Sequence, residues 1–226
     1  MNPALDWSEK VLAYSFSDPA FLQLALTHRS AAEKHNERLE FLGDAVLGLV
    51  ITGRLFELRP ETAEGGLSRL RSSLVRKEAL AEIAAELKLG DLVVLGSGET
   101  RTGGHQRKSI LADTLEAVIG AVFLDGGYAV AEQVVQRLYA TRLGNLPDEE
   151  FLKDPKTLLQ EYLQSAGLAT PVYSVDDVSG PPHAQHFKVS CAIEQCELST
   201  FGAGKSRRVA EQDAASRALQ ELQERD

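Results

Sequence analysis

The period of the apolar residues changes once along the chain, near residue 146, and that change calls for two different kinds of fold. Up to that point Leu, Ala and Val recur at three- and four-residue spacing, with little β-branched alternation. The pattern predicts helices over 4–13, 19–27, 31–35, 37–58, 64–88, 109–124 and 128–141. Pro3, Pro19 and Pro60, and glycines at 65–66, 103–104 and 126–127, punctuate them. The polar, acidic stretch GNLPDEEFLKDP (144–155) then interrupts the pattern. It predicts a first domain over 1–146, a linker over 147–153 and a second domain over 154–226.

The second domain reads differently. Asp154-Pro155 suits a helix start, with Asp as cap and Pro at the first helical position. Leu158, Leu159, Tyr162 and Leu163 form one apolar face, and Gly167 supplies the stop. Strands are expected at 171–178, 186–193 and 196–202. In HFKVSCAI, Phe187, Val189, Cys191 and Ile193 alternate with Lys188, Ser190 and Ala192. A helix over 206–223 closes the chain, with Val209, Ala210, Ala214, Ala218, Leu219 and Leu222 on its apolar side. The fold class is therefore an all-α domain followed by a small α+β domain of order α-β-β-β-α.

With 226 residues, 43% of them hydrophobic, the chain is long enough to bury a sizeable core. Its net charge of −9 argues mildly against a nucleic-acid partner, so the distribution of charge has to decide. Cys191 and Cys196 form no CxxC motif and no Cys/His cluster, which suits reduced thiols. The N-terminus MNPALDWSEK is polar and acidic, unlike a signal peptide. The longest apolar stretch, 110–124, is too short to span a bilayer. The expected location is the cytoplasm, with no membrane partner.

The string NERLEFLGDAVLG (36–48) places acids among apolar residues. With about 100° of turn per residue, Glu37, Glu40 and Asp44 share one stripe of a helix. A second helix, SILADTLEAVIGAVFL, repeats the arrangement with Asp113 and Glu116. An ionised carboxylate buried without a partner is costly, and like charges one turn apart add to the cost. Either the stripes face water or they hold a divalent cation. Oxygen donors with no Cys or His suit Mg²⁺ or Mn²⁺ rather than Zn²⁺. Glu64, before a third helical run, reads on its own as an acid favoured by the helix dipole. Gly43 and Gly48 would permit a close helix approach, either within the chain or to a second copy.

Positive charge is local. From 151 to 226 there are 8 Lys and Arg against 11 Asp and Glu, yet Lys205, Arg207 and Arg208 crowd one helix start. Cations there oppose the dipole but suit phosphate. Arg107 and Lys108 end the Gly-rich stretch TGGHQRKS, which reads as a phosphate-tracking loop or a solvated one. His28, in ALTHRS, reads as a structural hydrogen-bonder.

ERLEFLGD together with LADTLEAVIGAVFLD closely resembles the ribonuclease III family. ALTHRS (25–30) and EGGLSRLRSSLVR (64–76) match as well. The α-β-β-β-α tail resembles the double-stranded-RNA-binding domain of the bacterial members. The resemblance covers nearly the whole chain. It implies an all-α endonuclease domain, and an RNA-binding domain with a three-stranded antiparallel sheet and two helices on one face. It assigns Glu40, Asp44, Asp113 and Glu116 as ligands of catalytic Mg²⁺, for which Mn²⁺ can substitute. Asp44 and Glu116 are also catalytic by this resemblance, with Glu37 and Glu64 as supporting acids of the same valley, lining the RNA path or orienting metal-bound water. The implied reaction is hydrolysis of duplex RNA by metal-activated water, giving 5′-phosphate and 3′-hydroxyl ends with short 3′ overhangs. A homodimer through the catalytic domain is implied, with Phe41 at its interface, as are ribosomal RNA precursors and structured messenger RNA as substrates. In the second domain the resemblance implies RNA contacts by Thr157, Gln160 and Glu161. It adds the turn residues Gly180, Pro182 and His183, with Pro181 interposed, and Lys205, Arg207 and Arg208. DNA is not an expected substrate, because the 2′-hydroxyl is part of what such domains read. The competing readings are an RNA-binding protein with an inactive nuclease fold and a DNA nuclease.

Overall fold

The computed structural model describes residues 2–148 and 153–225. The chain divides into two compact units, residues 1–149 and 150–226. Most of the expected linker, residues 149–152, lies outside the described residues.

The first unit is helical. Helix α1 (Pro3–Trp7) runs into a π-helical turn over Ser8–Leu12, which ends at left-handed Ala13. Then come α2 (Pro19–Ala25), α3 (Glu37–Leu58), α4 (Glu64–Val75), α5 (Lys77–Glu86), α6 (Ser97–Arg101) and α7 (Lys108–Gly144). Helix α7 forms the centre: Leu115, Val118, Ile119 and Val122 are fully buried, and α3, α5 and α2 pack on it. It also absorbs two expected helices, 109–124 and 128–141, into one element. The join is Gly127, whose φ of 78° and ψ of −179° are non-helical. A positive φ of this kind suits glycine, which has no Cβ to clash.

Two sequence expectations fail in this unit. Residues 31–35 form turns, not a helix. The segment is short, and its ends are tied to other elements: Asn36 N–H donates to the Thr27 carbonyl at 2.9 Å, and the Asn36 side chain to the Ala25 carbonyl at 3.2 Å. A helix this short gains too little from propensity to compete with such ties. The expected helix 64–88 is broken at Arg76, which is extended (φ −67°, ψ 153°). No Gly or Pro marks the break. It lets Leu70 and Leu74 of α4 and Leu80 and Ile83 of α5 all be buried. Near the break the Leu74 carbonyl accepts from the buried Tyr139 hydroxyl at 3.3 Å, so a carbonyl at the helix end finds a partner.

The second unit contains α8 (Pro155–Ser165), β1 (Val172–Ser179), β2 (His186–Ile193), β3 (Leu198–Gly204) and α9 (Arg207–Gln223). The strands form an antiparallel sheet in the order β1-β2-β3, with Cys191 opposite both Tyr173 and Thr200. Val189, Cys191 and Ile193 are buried, as their alternation predicts. Cys191 and Ile193 join Leu159 and Leu163 of α8 and Ala214, Ala218 and Leu222 of α9 in one core. Asp154 caps α8 through its side chain, and left-handed Gly167 follows its end. On α9 the buried face differs slightly from expectation: Val209 is exposed, whereas Glu211 and Ala215 are buried. Both cysteines are free thiols. Among the described residues no helix is long and apolar enough to cross a membrane.

Candidate functional site

Helices α3 and α7 touch backbone to backbone. A Cβ on Gly43 would land on the Glu116 carbonyl, and one on Gly120 would strike the Leu39 carbonyl. Gly43 thus serves packing within the chain, whereas Gly48 has nothing of its own chain within 4 Å of such a Cβ. Because Glu40 and Asp44 flank Gly43 by three residues and one, this approach carries the α3 acids to those of α7.

One oxygen each from Glu40, Asp113 and Glu116 lies within 4.8 Å of the others. All three residues are half-buried. Burial pushes the Glu116 carboxyl up to about 8, and the charges of Asp44, Glu40 and Asp113 push the same way while Lys77 opposes them. Glu40 is also raised, by burial and by the charges of Asp113 and Glu37. Asp113 is raised by burial against Lys77, His28 and Arg29. Such a cluster is short of positive charge. Its donors are all hard oxygens, which fits a small divalent cation.

Of the other expected acids, Asp44 and Glu37 border this triad and Glu64 lies elsewhere. Asp44 is exposed and acts on Glu116 through its charge. Glu37 is exposed and paired with Arg29 at 3.1 Å. It lines a recess of about 420 Å³ with Glu40, Asp113, Glu99, Arg29 and Arg107. Glu64 opens α4, accepts from Ser68 Oγ at 2.8 Å, and lies in a different recess with Thr52, Phe56 and Arg71. Arg107 faces the acid recess, but Glu99 holds it at 2.7 Å. Lys108, the first residue of α7, is exposed. His28 Nδ1 is 2.8 Å from Ser30 Oγ, a structural contact.

Sequence reading missed Lys77, Glu99 and Arg29. Lys77 follows the unmarked break at Arg76, and Glu99 lies in a short loop helix, so neither shows in a periodic pattern.

In the second unit Thr157, Gln160 and Glu161 are exposed together on α8, with Glu161 paired to Lys153 at 2.6 Å. Gly180 (φ +90°), Pro182 and His183 lie in the exposed turn between β1 and β2. At the start of α9 Lys205 is exposed, and the other two expected cations are paired: Arg207 with Glu211 at 2.8 Å, and Arg208 with Asp154 at 3.4 Å. Lys156, also missed, joins Glu211 at 2.6 Å.

Comparison with known proteins agrees with this layout. Residues 18–143 match the family model described as Ribonuclease-III-like, and residues 155–222 match the double-stranded RNA binding motif. Ribonuclease 3 of Nitrosococcus oceani is 51% identical over 221 residues, covering 97% of this chain and 95% of that protein. Ribonuclease 3 of Pasteurella multocida is 47% identical over 223 residues, 99% of each. The crystal structure of the nuclease domain of ribonuclease III from Campylobacter jejuni is 41% identical, with a TM-score of 0.61. It covers 65% of this chain and all of that one. A second structure of that domain, 43% identical with the same TM-score, covers 62% of this chain and 99% of that one. It concerns flexibility in a region involved in that domain's dimer formation.

Fold and site together define a helical nuclease-type unit with a converging carboxylate centre, followed by a double-stranded RNA binding motif. The chain belongs to the ribonuclease III family.

Proposed function

We propose that the chain is an endoribonuclease that hydrolyses double-stranded RNA with the help of a divalent cation, Mg²⁺ or in its place Mn²⁺. The observation that carries this reading is the convergence of Glu40, Asp113 and Glu116 within 4.8 Å, with no cation of the chain paired directly to any of the three among the described residues. In the proposal Glu40, Asp44, Asp113 and Glu116 hold the cation, and Asp44 and Glu116 face the reacting phosphate. Glu37 lines the RNA path beside them. Glu64 is a supporting acid that acts from its separate recess. A cation held there would activate water and neutralise charge at phosphorus. The chain's own carboxylates would orient it, and their hard oxygens suit Mg²⁺ or Mn²⁺. The recess offers Arg29 and Arg107 to RNA phosphates, each steadied by an acid, and Lys108 stands exposed beside them. Products would carry 5′-phosphate and 3′-hydroxyl ends.

Residues 1–146 would be the catalytic domain, 147–153 the linker and 154–226 the RNA-binding domain. The latter would meet the duplex through Thr157, Gln160 and Glu161, through Gly180, Pro182 and His183, and through Lys205, Arg207 and Arg208. Such domains read A-form shape across about 16 bp rather than sequence. On the resemblance to the bacterial family we assign the protein to the cytoplasm, acting on ribosomal RNA precursors and structured messenger RNA.

A homodimer through the catalytic domain is part of the proposal, with two half-sites leaving short 3′ overhangs. What supports it is Phe41, 81% exposed on α3, beside an apolar recess of about 920 Å³ lined by Phe21, Leu24, Leu39, Leu42 and Leu124. Leu49 and Phe56 on the same helix are exposed too. Apolar patches of this kind mark interfaces. Phe41→Glu would bury a charge at such an interface, so sedimentation should show monomer where the parent is dimer. An unchanged dimer would remove Phe41 from the interface.

The deciding experiment is a gel assay of an end-labelled RNA duplex with Mg²⁺, with EDTA, and against a matched DNA duplex. Cleavage of RNA alone, and only with Mg²⁺, is expected. Cleavage in EDTA or of DNA sinks the proposal, and no cleavage at all favours an inactive nuclease fold that only binds RNA.

A further inference from the structure

The starting ends of α8 and α9 are tied together by two carboxylates. Asp154 accepts from Gln212 Nε2 at 2.8 Å and from Arg208 Nη2 at 3.4 Å. Glu211, only 8% exposed, accepts from Lys156 Nζ at 2.6 Å and from Arg207 Nε at 2.8 Å. Lys156 Nζ also sits 4.5 Å from the centre of the Tyr173 ring, so the ammonium is held from two sides.

An acid here is a puzzle. By charge alone, Glu211 repels the phosphates that this end of the unit is proposed to bind. The answer lies in which nitrogen of Arg207 it takes. A guanidinium carries five N–H groups in a rigid plane. Glu211 occupies the inner Nε–H, and the four on Nη1 and Nη2 have no other partner among the described residues. The Arg207 side chain is 63% exposed. A guanidinium anchored by its inner nitrogen presents its outer fork to solvent in a fixed direction, the shape that grips two phosphate oxygens at once. Lys156 fixes the second oxygen of the same carboxylate, so the anchor itself cannot swing. Hydrogen bonds from Lys156 and Arg207 hold the Glu211 carboxyl below its usual range, which keeps it charged at neutral pH.

We propose that Glu211 is a positioning residue for duplex RNA: bolted by Lys156, it aims the outer fork of Arg207 at a backbone phosphate. This rests on the reading of residues 154–226 as the RNA-binding domain.

The test uses the full chain, with Ca²⁺ replacing Mg²⁺, and fluorescence anisotropy of a labelled RNA duplex over a range of salt concentrations. Each variant is read below its melting transition, recorded by circular dichroism. Glu211→Gln removes one negative charge, so long-range electrostatics alone predicts tighter binding. Gln also offers one acceptor oxygen where Glu offers two, so Lys156 and Arg207 cannot each keep an oxygen of their own. Positioning therefore predicts the opposite sign, a loss of about fivefold. In an Arg207→Lys background, which has no Nε to anchor, Glu211→Gln should cause no further loss. In cleavage with Mg²⁺ the effect should fall on KM and leave kcat unchanged. Binding as tight as or tighter than the parent, or an equal loss in the Arg207→Lys background, overturns the proposal. If the unaltered chain fails to bind duplex RNA, the underlying reading falls and the proposal falls with it.

Discussion

Glu116→Gln abolishes cleavage and, without divalent cation, makes the fold more stable. The two effects have one cause. Glu116 is half-buried, with Asp44, Glu40 and Asp113 as like charges around it and Lys77 as the opposing one, and its carboxyl is pushed up to about 8. An unfolded chain releases this proton near the ordinary carboxylate value. Between that value and about 8 the folded, metal-free state therefore binds the extra proton. Stability then falls as pH rises through that window, because the folded state holds more protons than the unfolded one. Glu40 and Asp113 are shifted in the same direction and add to the slope. Gln carries no charge, so the variant should melt higher than the parent at pH 8 in EDTA, with a weaker pH dependence. Cation binding reverses the order. It needs the ionised carboxylate, so protons compete with it and apparent affinity should rise with pH until about 8. The variant lacks that ligand and should lose cleavage by about 10³-fold or more. Binding of duplex RNA in Ca²⁺ should stay within about threefold, since the RNA-binding unit is untouched, a difference well under 1.4 kcal/mol. Calorimetry in EDTA and with Mg²⁺, with single-turnover cleavage, checks all of this. A variant that melts lower than the parent in EDTA at pH 8, or that still cleaves, removes Glu116 from the metal centre.

Gly43→Ala should do comparable damage without touching an acid. Its Cβ would meet the carbonyl of Glu116, with the Gly120 nitrogen at 3.0 Å, and both are backbone atoms of a buried helix. No side chain can swing aside, so α3 and α7 must separate. Overpacking of this kind costs about 1–3 kcal/mol, and more where backbone has to move. The separation also pulls Glu40 away from Asp113 and Glu116, and displacement by about 1 Å can cost about 10²-fold in rate. Gly53→Ala, on the same helix with nothing within 4 Å, is the control. It should be neutral or gain about 0.5–1 kcal/mol from helix propensity. Denaturant melts and cleavage rates of the two variants test this directly. Equal behaviour would mean that the helix contact does not set the site.

Much of this architecture was legible in the residues. The spacing of Leu47, Val50, Ile51 and Leu55 marks α3, and all four are buried. The alternation of Val189, Cys191 and Ile193 marks β2 and its buried face. The break at Arg76 was not legible, because no Gly or Pro marks it and what it permits, burial of Leu70, Leu74, Leu80 and Ile83 and a bond from Tyr139, involves residues far along the chain. Lys77 was invisible for the same reason: it approaches the acids only because the chain turns before it. Arg207 and Arg208 were legible as cations but not as paired ones. Glu211 and Asp154 reach them from the next turn of α9 and from the cap of α8.

By itself the sequence determined the helical stripes that carry Glu37, Glu40 and Asp44, and Asp113 with Glu116. It also determined the switch from helical to alternating period. Both follow from backbone geometry, which repeats every few residues and needs no distant partner. Only the tertiary structure decided that Glu40, Asp113 and Glu116 converge while Glu64 stays in another recess. That outcome depends on two glycines some 77 positions apart meeting backbone to backbone, Gly43 and Gly120. Close packing of surfaces distant in sequence leaves no periodic mark on either of them.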